Sequence, residues 1–315
     1  MLRFSISKNT IVFLFFILIF TVFYSLNFKI FLLWNQIIES YAVPSISAIK
    51  SHTVRIMLIN GLIYIVQFFF DTDRIVAFNI SSHIILFLST IIFSKVLYKN
   101  LTKDILIIIF LSLSVILVSF FQNGRGIFGC FSIILLYYTL FIKNTKLKWF
   151  FVFVAILFSN VSSGIFSVLL ISIILGSLNK TLTFIKKKHL IILILLLTPL
   201  LIIYANKNLE YFDYDFFKLL SHGLGSIFQT DLITLIAISL ILIVFFFVSF
   251  FYIFIVNTKV LYSINLPFIS SSIIGIFFGF SSFTCFIYIY LLILFIKLKK
   301  KILSSSINNR VKCDN

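Results

Sequence analysis

Residues 149–178 read WFFVFVAILFSNVSSGIFSVLLISIILGSL, thirty positions without a charge. As one helix the run would be about 45 Å long, well beyond a hydrocarbon core of roughly 30 Å. Both flanks are basic: Lys143, Lys146 and Lys148 come before it, and Lys180, Lys186, Lys187 and Lys188 after it. Lysines collect in the cytoplasmic loops of membrane proteins, so flanks of the same sign imply that the segment enters and returns. Its central polar cluster, SNVSSG at 159–164, is where a turn can form. Each arm then has ~13–15 residues, short for a full crossing. The expectation is a hairpin of short helices, whose irregular backbone survives at depth only when buried in protein or lining a wet cavity.

The rest of the chain fits that setting. Its 315 residues are 61% hydrophobic and 11% charged, with a mean hydropathy of +1.19. Soluble domains carry about 25% charged residues. The long Ile, Leu and Phe runs do not alternate, which argues against a transmembrane β-barrel. The predicted fold is all-α: a single polytopic transmembrane domain over 1–315, with about 10–12 transmembrane helices, including the short hairpin at 149–178. Spans are expected at 10–26, 55–70, 82–97, 105–121, 127–142, 189–205, 231–256, 260–280 and 283–297. Residues 28–43 either cross poorly or lie on the interface. The bulky residues after the first run make it a first helix with a cytoplasmic N-terminus, not a cleaved signal.

The net charge of +17 does not point to nucleic acid, because the basic residues sit in short inter-helix loops. One alternating path places Lys50, Arg55, Lys95, Lys99, the 143–148 and 180–188 lysines and the basic C-terminal tail in the cytoplasm. The outer face then holds Arg74, Arg125 and Lys207, together with Asp71, Asp73, Glu210, Asp213, Asp215 and Asp231. Residues 206–230, NKNLEYFDYDFFKLLSHGLGSIFQT, form the longest outer loop. Both termini fall in the cytoplasm.

Candidate chemistry gathers on the outer face. The stretch 119–129, SFFQNGRGIFG, interrupts two apolar segments and carries Arg125 between Gly124 and Gly126. The glycines permit close approach of a ligand or another helix, and a guanidinium grips phosphate oxygens in bidentate fashion. A loop arginine anchoring lipid headgroups has the same appearance. Asp71-Thr72-Asp73 is a D-x-D just outside a span. It could hold a divalent cation or supply a general base; a solvated loop balanced by Arg74 is the plainer reading. In the 206–230 loop, Tyr211, Asp213 and Asp215 interleave rings with carboxylates. This suits sugar binding as well as it suits an amphipathic surface helix. His222 is a candidate base there. Ser162 and Ser163 lack a His–Asp partner nearby and suit capping. Cys130, Cys285 and Cys313 form no CxxC pair, so no metal site is expected.

In order, QNGRGIFG in an outer loop before a helix, a basic cytoplasmic loop, and an apolar hairpin tipped by SNVSSGIF resemble bacterial Wzy-type and EpsG-like polysaccharide polymerases over roughly residues 55–180. Arg125 matches the arginine that opens the corresponding helix in that family, and Ser162-Ser163 match its later turn in part; the family's histidine there is absent. The resemblance implies polymerisation of undecaprenyl-pyrophosphate-linked oligosaccharide repeats, as O-antigen, capsule or exopolysaccharide, at the outer face of the bacterial inner membrane. On that reading Arg125 and Arg74 hold the pyrophosphate. An outer carboxylate (Asp71 or Asp73) or His222 assists the acceptor hydroxyl. Membrane lipid, the lipid-linked oligosaccharide and a chain-length regulator or other polysaccharide-assembly proteins are the partners, and no cofactor is needed. Two alternatives stay open. One is a polyprenyl-phosphate-dependent glycosyltransferase of the GT-C type, with Asp71 and Asp73 as its acidic site and a divalent cation. The other is a non-enzymatic polysaccharide transporter or flippase subunit, although no internal repeat of the kind common in transporters is present.

Overall fold

The computed structural model describes residues 17–18, 35–100, 105, 108–109, 125–178, 182–211 and 213–215. Every regular element among the described residues is helical. In order they are α1 (Asn35–Ser40), α2 (Ile46–Phe70), α3 (Arg74–Asn100), α4 (Arg125–Tyr138) with a 3-10 turn at Thr139–Phe141, α5 (Thr145–Ser159), α6 (Ser163–Leu178) and α7 (Lys187–Tyr211). Three stretches are long and apolar enough to cross a bilayer: His52–Phe70, Arg74–Val96 and Lys187–Lys207. The expected spans at 231–256, 260–280 and 283–297, nearly all of 10–26 and most of 105–121 lie outside the described residues, as does the total helix number.

The outward faces of α2 and α7 are greasy. Phe68, Phe69, Leu195 and Leu196 are each about 70% exposed or close to it (74%, 71%, 67% and 69%). Such a surface belongs in lipid, because a water-soluble monomer rarely presents contiguous apolar area on this scale. The chain is a helical membrane protein.

Local chemistry sets the helix boundaries. Ser45 caps α2, its hydroxyl accepting from the Ala48 N–H at 3.2 Å. Asp71 ends α2 in the left-handed region (φ 43°), its N–H donating to the Gln67 carbonyl at 3.0 Å. Asp73 then starts α3, its carboxylate accepting from the Val76 N–H at 2.8 Å. α3 therefore begins eight residues before the apolar run at 82. Residues 74–81 are mixed in polarity, but Ser81 is buried and donates within the helix to the Ala77 carbonyl and across to Leu62 of α2. That removes the cost of a buried hydroxyl. Asn144 caps α5 by accepting from the N–H groups of Lys146 and Leu147.

Residues 149–178 do not form one helix. The break falls at Asn160-Val161-Ser162, inside the polar cluster. The Ser162 N–H donates back to the Ser159 carbonyl, and the Ser162 carbonyl accepts from the Phe166 N–H, the first bond of α6. Of residues 28–43, left open between a span and a surface helix, 35–43 are described and contain the six-residue helix α1. Ile38 and Tyr41 at their end are buried.

α4 is the centre of the packing. From Ile127 to Tyr137 every residue is buried. Phe128 is sandwiched between Phe78 of α3 (6.2 Å) and Phe158 of α5 (6.1 Å), and Phe131 meets Phe158 edge-on at 4.9 Å. Tyr138, at the other end of α4, meets Phe151 at 5.5 Å. Start pairs with end and end with start, so α4 and α5 are antiparallel. Trp149 meets His189 at 5.4 Å and Phe184 at 5.6 Å, while Asn160 meets Tyr204, so α5 and α7 run in the same direction. Gly129 lets α6 approach α4: a Cβ there would lie 2.7 Å from Ile165 Cδ1.

Candidate functional site

These contacts sort the polar residues of α4 to α7 between two ends of the bundle. At one end, Trp149 packs on Phe184 and His189, and Lys148 sits over the Phe184 ring at 5.1 Å. The 143–148 lysines and the 186–188 lysines therefore share that end. At the other end are the start of α4 at Arg125, the turn at Asn160, and the close of α7. Phe78 of α3 and Phe128 of α4, each about one turn into its helix, stack on one another and join α3 to α4.

Arg125 is the first residue of α4 and Gly126 the second. The positive pole of the helix dipole lies there, an environment that favours anions. Gly124 and His222 lie outside the described residues. Tyr211 is the last residue of α7. Beyond it Asp213 and Tyr214 are both left-handed (φ 52° and 58°), and the Tyr214 N–H donates to the Leu209 carbonyl at 2.7 Å. This is a six-to-one bond that closes the helix. Asp213 is exposed and Asp215 half-buried. Residues 206–211, expected in an outer loop, continue α7 as helix.

Asp71 and Asp73 stand at consecutive helix ends, one closing α2 and the other opening α3. The Asp73 carboxylate thus has a capping role, and Asp71 closes α2 through its backbone N–H. Arg74 points inward. Its Nε–H donates to the Ile38 carbonyl at 2.8 Å and an NH2 group donates to Asn60 Oδ1. The Asn60 amide in turn donates to the Tyr41 carbonyl at 3.0 Å. Arg74 thus clamps the end of α1 against α2, and at least two of its donors are committed to that task.

A second polar group was not legible in the sequence as a site. Tyr204 Oη donates to Asn160 Oδ1 at 2.9 Å, and both residues are buried. Arg55 is buried as well (8% exposed), within electrostatic reach of Tyr204. One turn earlier, His52 Nε2 accepts from Lys207 Nζ. The alternating path had put Arg55 and Lys207 on opposite faces of the membrane. The His52–Lys207 contact places the first turns of α2 beside the close of α7 instead. The reason is burial. The positive-inside tendency concerns charges in exposed loops, and a guanidinium packed inside the bundle carries no such information.

No protein-family model, curated protein or solved structure matches this chain.

Proposed function

We propose that this protein is a membrane polymerase that joins undecaprenyl-pyrophosphate-linked oligosaccharide repeats at the outer face of a bacterial inner membrane. The observation that carries the reading is the grouping at one end of the bundle. The Arg125 start of α4, the buried Asn160 turn and the polar close of α7 lie together, with the lysine-rich segments at the opposite end. On this reading the 149–178 segment enters the bilayer as a short hairpin, with its turn toward the outer leaflet and the lysines toward the cytoplasm, where lysines collect.

On this reading the pyrophosphate of the donor lipid meets Arg125 at the first turn of α4. The guanidinium and the N–H groups of the helix start neutralise charge that grows on the leaving pyrophosphate as the glycosidic bond breaks. Asp213 or Asp215 would accept the proton of the attacking sugar hydroxyl, and the neighbouring Tyr211 and Tyr214 would offer faces for the sugar rings.

The test is deletion of the gene followed by gel analysis of surface glycan. The expected result is a single-repeat band in place of a ladder. Complementation with Arg125→Ala should leave that band unchanged while the protein inserts at normal levels. A normal ladder from the Arg125→Ala strain would overturn the assignment of Arg125. Loss of all glycan on deletion would instead indicate a glycosyltransferase or a flippase.

A further inference from the structure

Arg55 is a charged side chain buried within the bundle. Its Nε–H meets no acceptor. His52, three residues earlier at a kink in α2 (φ −140°, ψ 25°), presents a second orphan. With the Lys207 ammonium donating to Nε2, the imidazole proton resides on Nδ1, and Nδ1 also meets no partner. Two buried donors on consecutive turns of one helix, beside an ammonium, are thus left without acceptors. Buried donors in native proteins are satisfied in the great majority of cases, and a buried cation without a counter-charge is strongly disfavoured.

We infer that Arg55, His52 and Lys207 form a binding site for a phosphate group, borne either by a lipid headgroup or by free phosphate. The Nε edge of a guanidinium is one half of the fork that grips two phosphate oxygens. The imidazole Nδ1–H supplies a further donor and the lysine a point charge. Access is from the rim, where His52 and Lys207 are half-buried. The neighbouring Tyr204 hydroxyl is bonded to Asn160 and so is not a competing acceptor. A water molecule would satisfy the donors but would not offset the buried Arg55 charge, so an anion fits the cluster better. The inference needs only this cluster and the membrane setting; it does not rest on the polymerase reading.

The test uses the full-length protein in phosphatidylcholine nanodiscs, with radiolabelled inorganic pyrophosphate as probe. The wild type is expected to bind, and Arg55→Gln to weaken binding by about tenfold or more, the usual range for loss of a hydrogen bond to a charged group. Lys146→Gln, a charge removed at the opposite end, should bind as wild type. Adding phosphatidic acid to the nanodiscs separates the two sources. Displacement of the probe assigns the site to a lipid headgroup, and undisturbed binding assigns it to free phosphate. Lys207→Gln at the rim should also weaken binding by roughly tenfold, and it serves if Arg55→Gln does not fold. No binding to the wild type, unchanged affinity in Lys207→Gln or in a folded Arg55→Gln, or an equal loss in Lys146→Gln would overturn the site.

Discussion

The hydroxyl of Tyr204 donates to the side-chain carbonyl of Asn160 at 2.9 Å, across 44 positions of sequence. That single bond ties the far end of α7 to the turn between α5 and α6. The Asn160 amide also donates to the Ile156 carbonyl at 2.6 Å, so the turn is held from both sides. Removing the tyrosine hydroxyl leaves a buried acceptor without its donor. Tyr204→Phe is therefore expected to destabilise the protein by about 1–3 kcal/mol, read as a lower unfolding midpoint in detergent. An additional Asn160→Ala change should cost less than it does alone, because the two residues act as a pair. Full additivity in the double-mutant cycle would show that they do not.

The capping roles of Asp71 and Asp73 make a separable prediction. Asp73→Ala removes an N-cap and should cost about 1 kcal/mol, whereas Asp73→Ser keeps an acceptor oxygen and should restore most of it. Asp71 is left-handed, so Asp71→Gly relieves backbone strain and should be neutral or mildly stabilising. Both restoring variants lack the carboxylate. If they unfold normally but produce no glycan ladder, the carboxylates have a chemical role beyond capping.

At Gly129 the close approach of α6 leaves little room. Gly129→Ala sets a methyl 2.7 Å from Ile165 Cδ1 and 3.2 Å from Cγ1. The expected penalty is about 1–3 kcal/mol from overpacking. Ile165→Val removes the offending Cδ1, so the double variant should recover part of the loss. A Gly129→Ala protein as stable as wild type would mean that α4 and α6 do not meet so tightly.

Sidedness can be read directly by labelling. In a background without Cys130, Cys285 and Cys313, single cysteines replace Lys207 or Lys187. A membrane-impermeant maleimide applied to intact cells should reach position 207 and not 187. Position 187 should react only after permeabilisation. The reverse pattern would invert the bundle and remove Arg125 from the outer leaflet.

Membrane residence was legible in the sequence because it depends on summed transfer energy, and long apolar runs report that sum wherever they fold. The break near 160 was legible too: Ser159, Asn160 and Ser162 offer local hydrogen bonds that an uninterrupted apolar helix does not need. The dual capping by Asp71 and Asp73 was obscured, since one D-x-D spacing serves metal binding, catalysis or two adjoining helix ends equally well. The capping contacts appear only once Gln67 and Val76 are placed relative to them. Arg74 and Arg55 show the deeper limit. In sequence each is a cation near the edge of an apolar run, with nothing to say which way it turns. Tertiary packing turns Arg74 onto Ile38 and Asn60, and buries Arg55 by Tyr204. Hydrophobicity is a property of a segment and adds up along the chain. The partner of a buried charge is a property of segments distant in sequence, and it exists only once they have packed together.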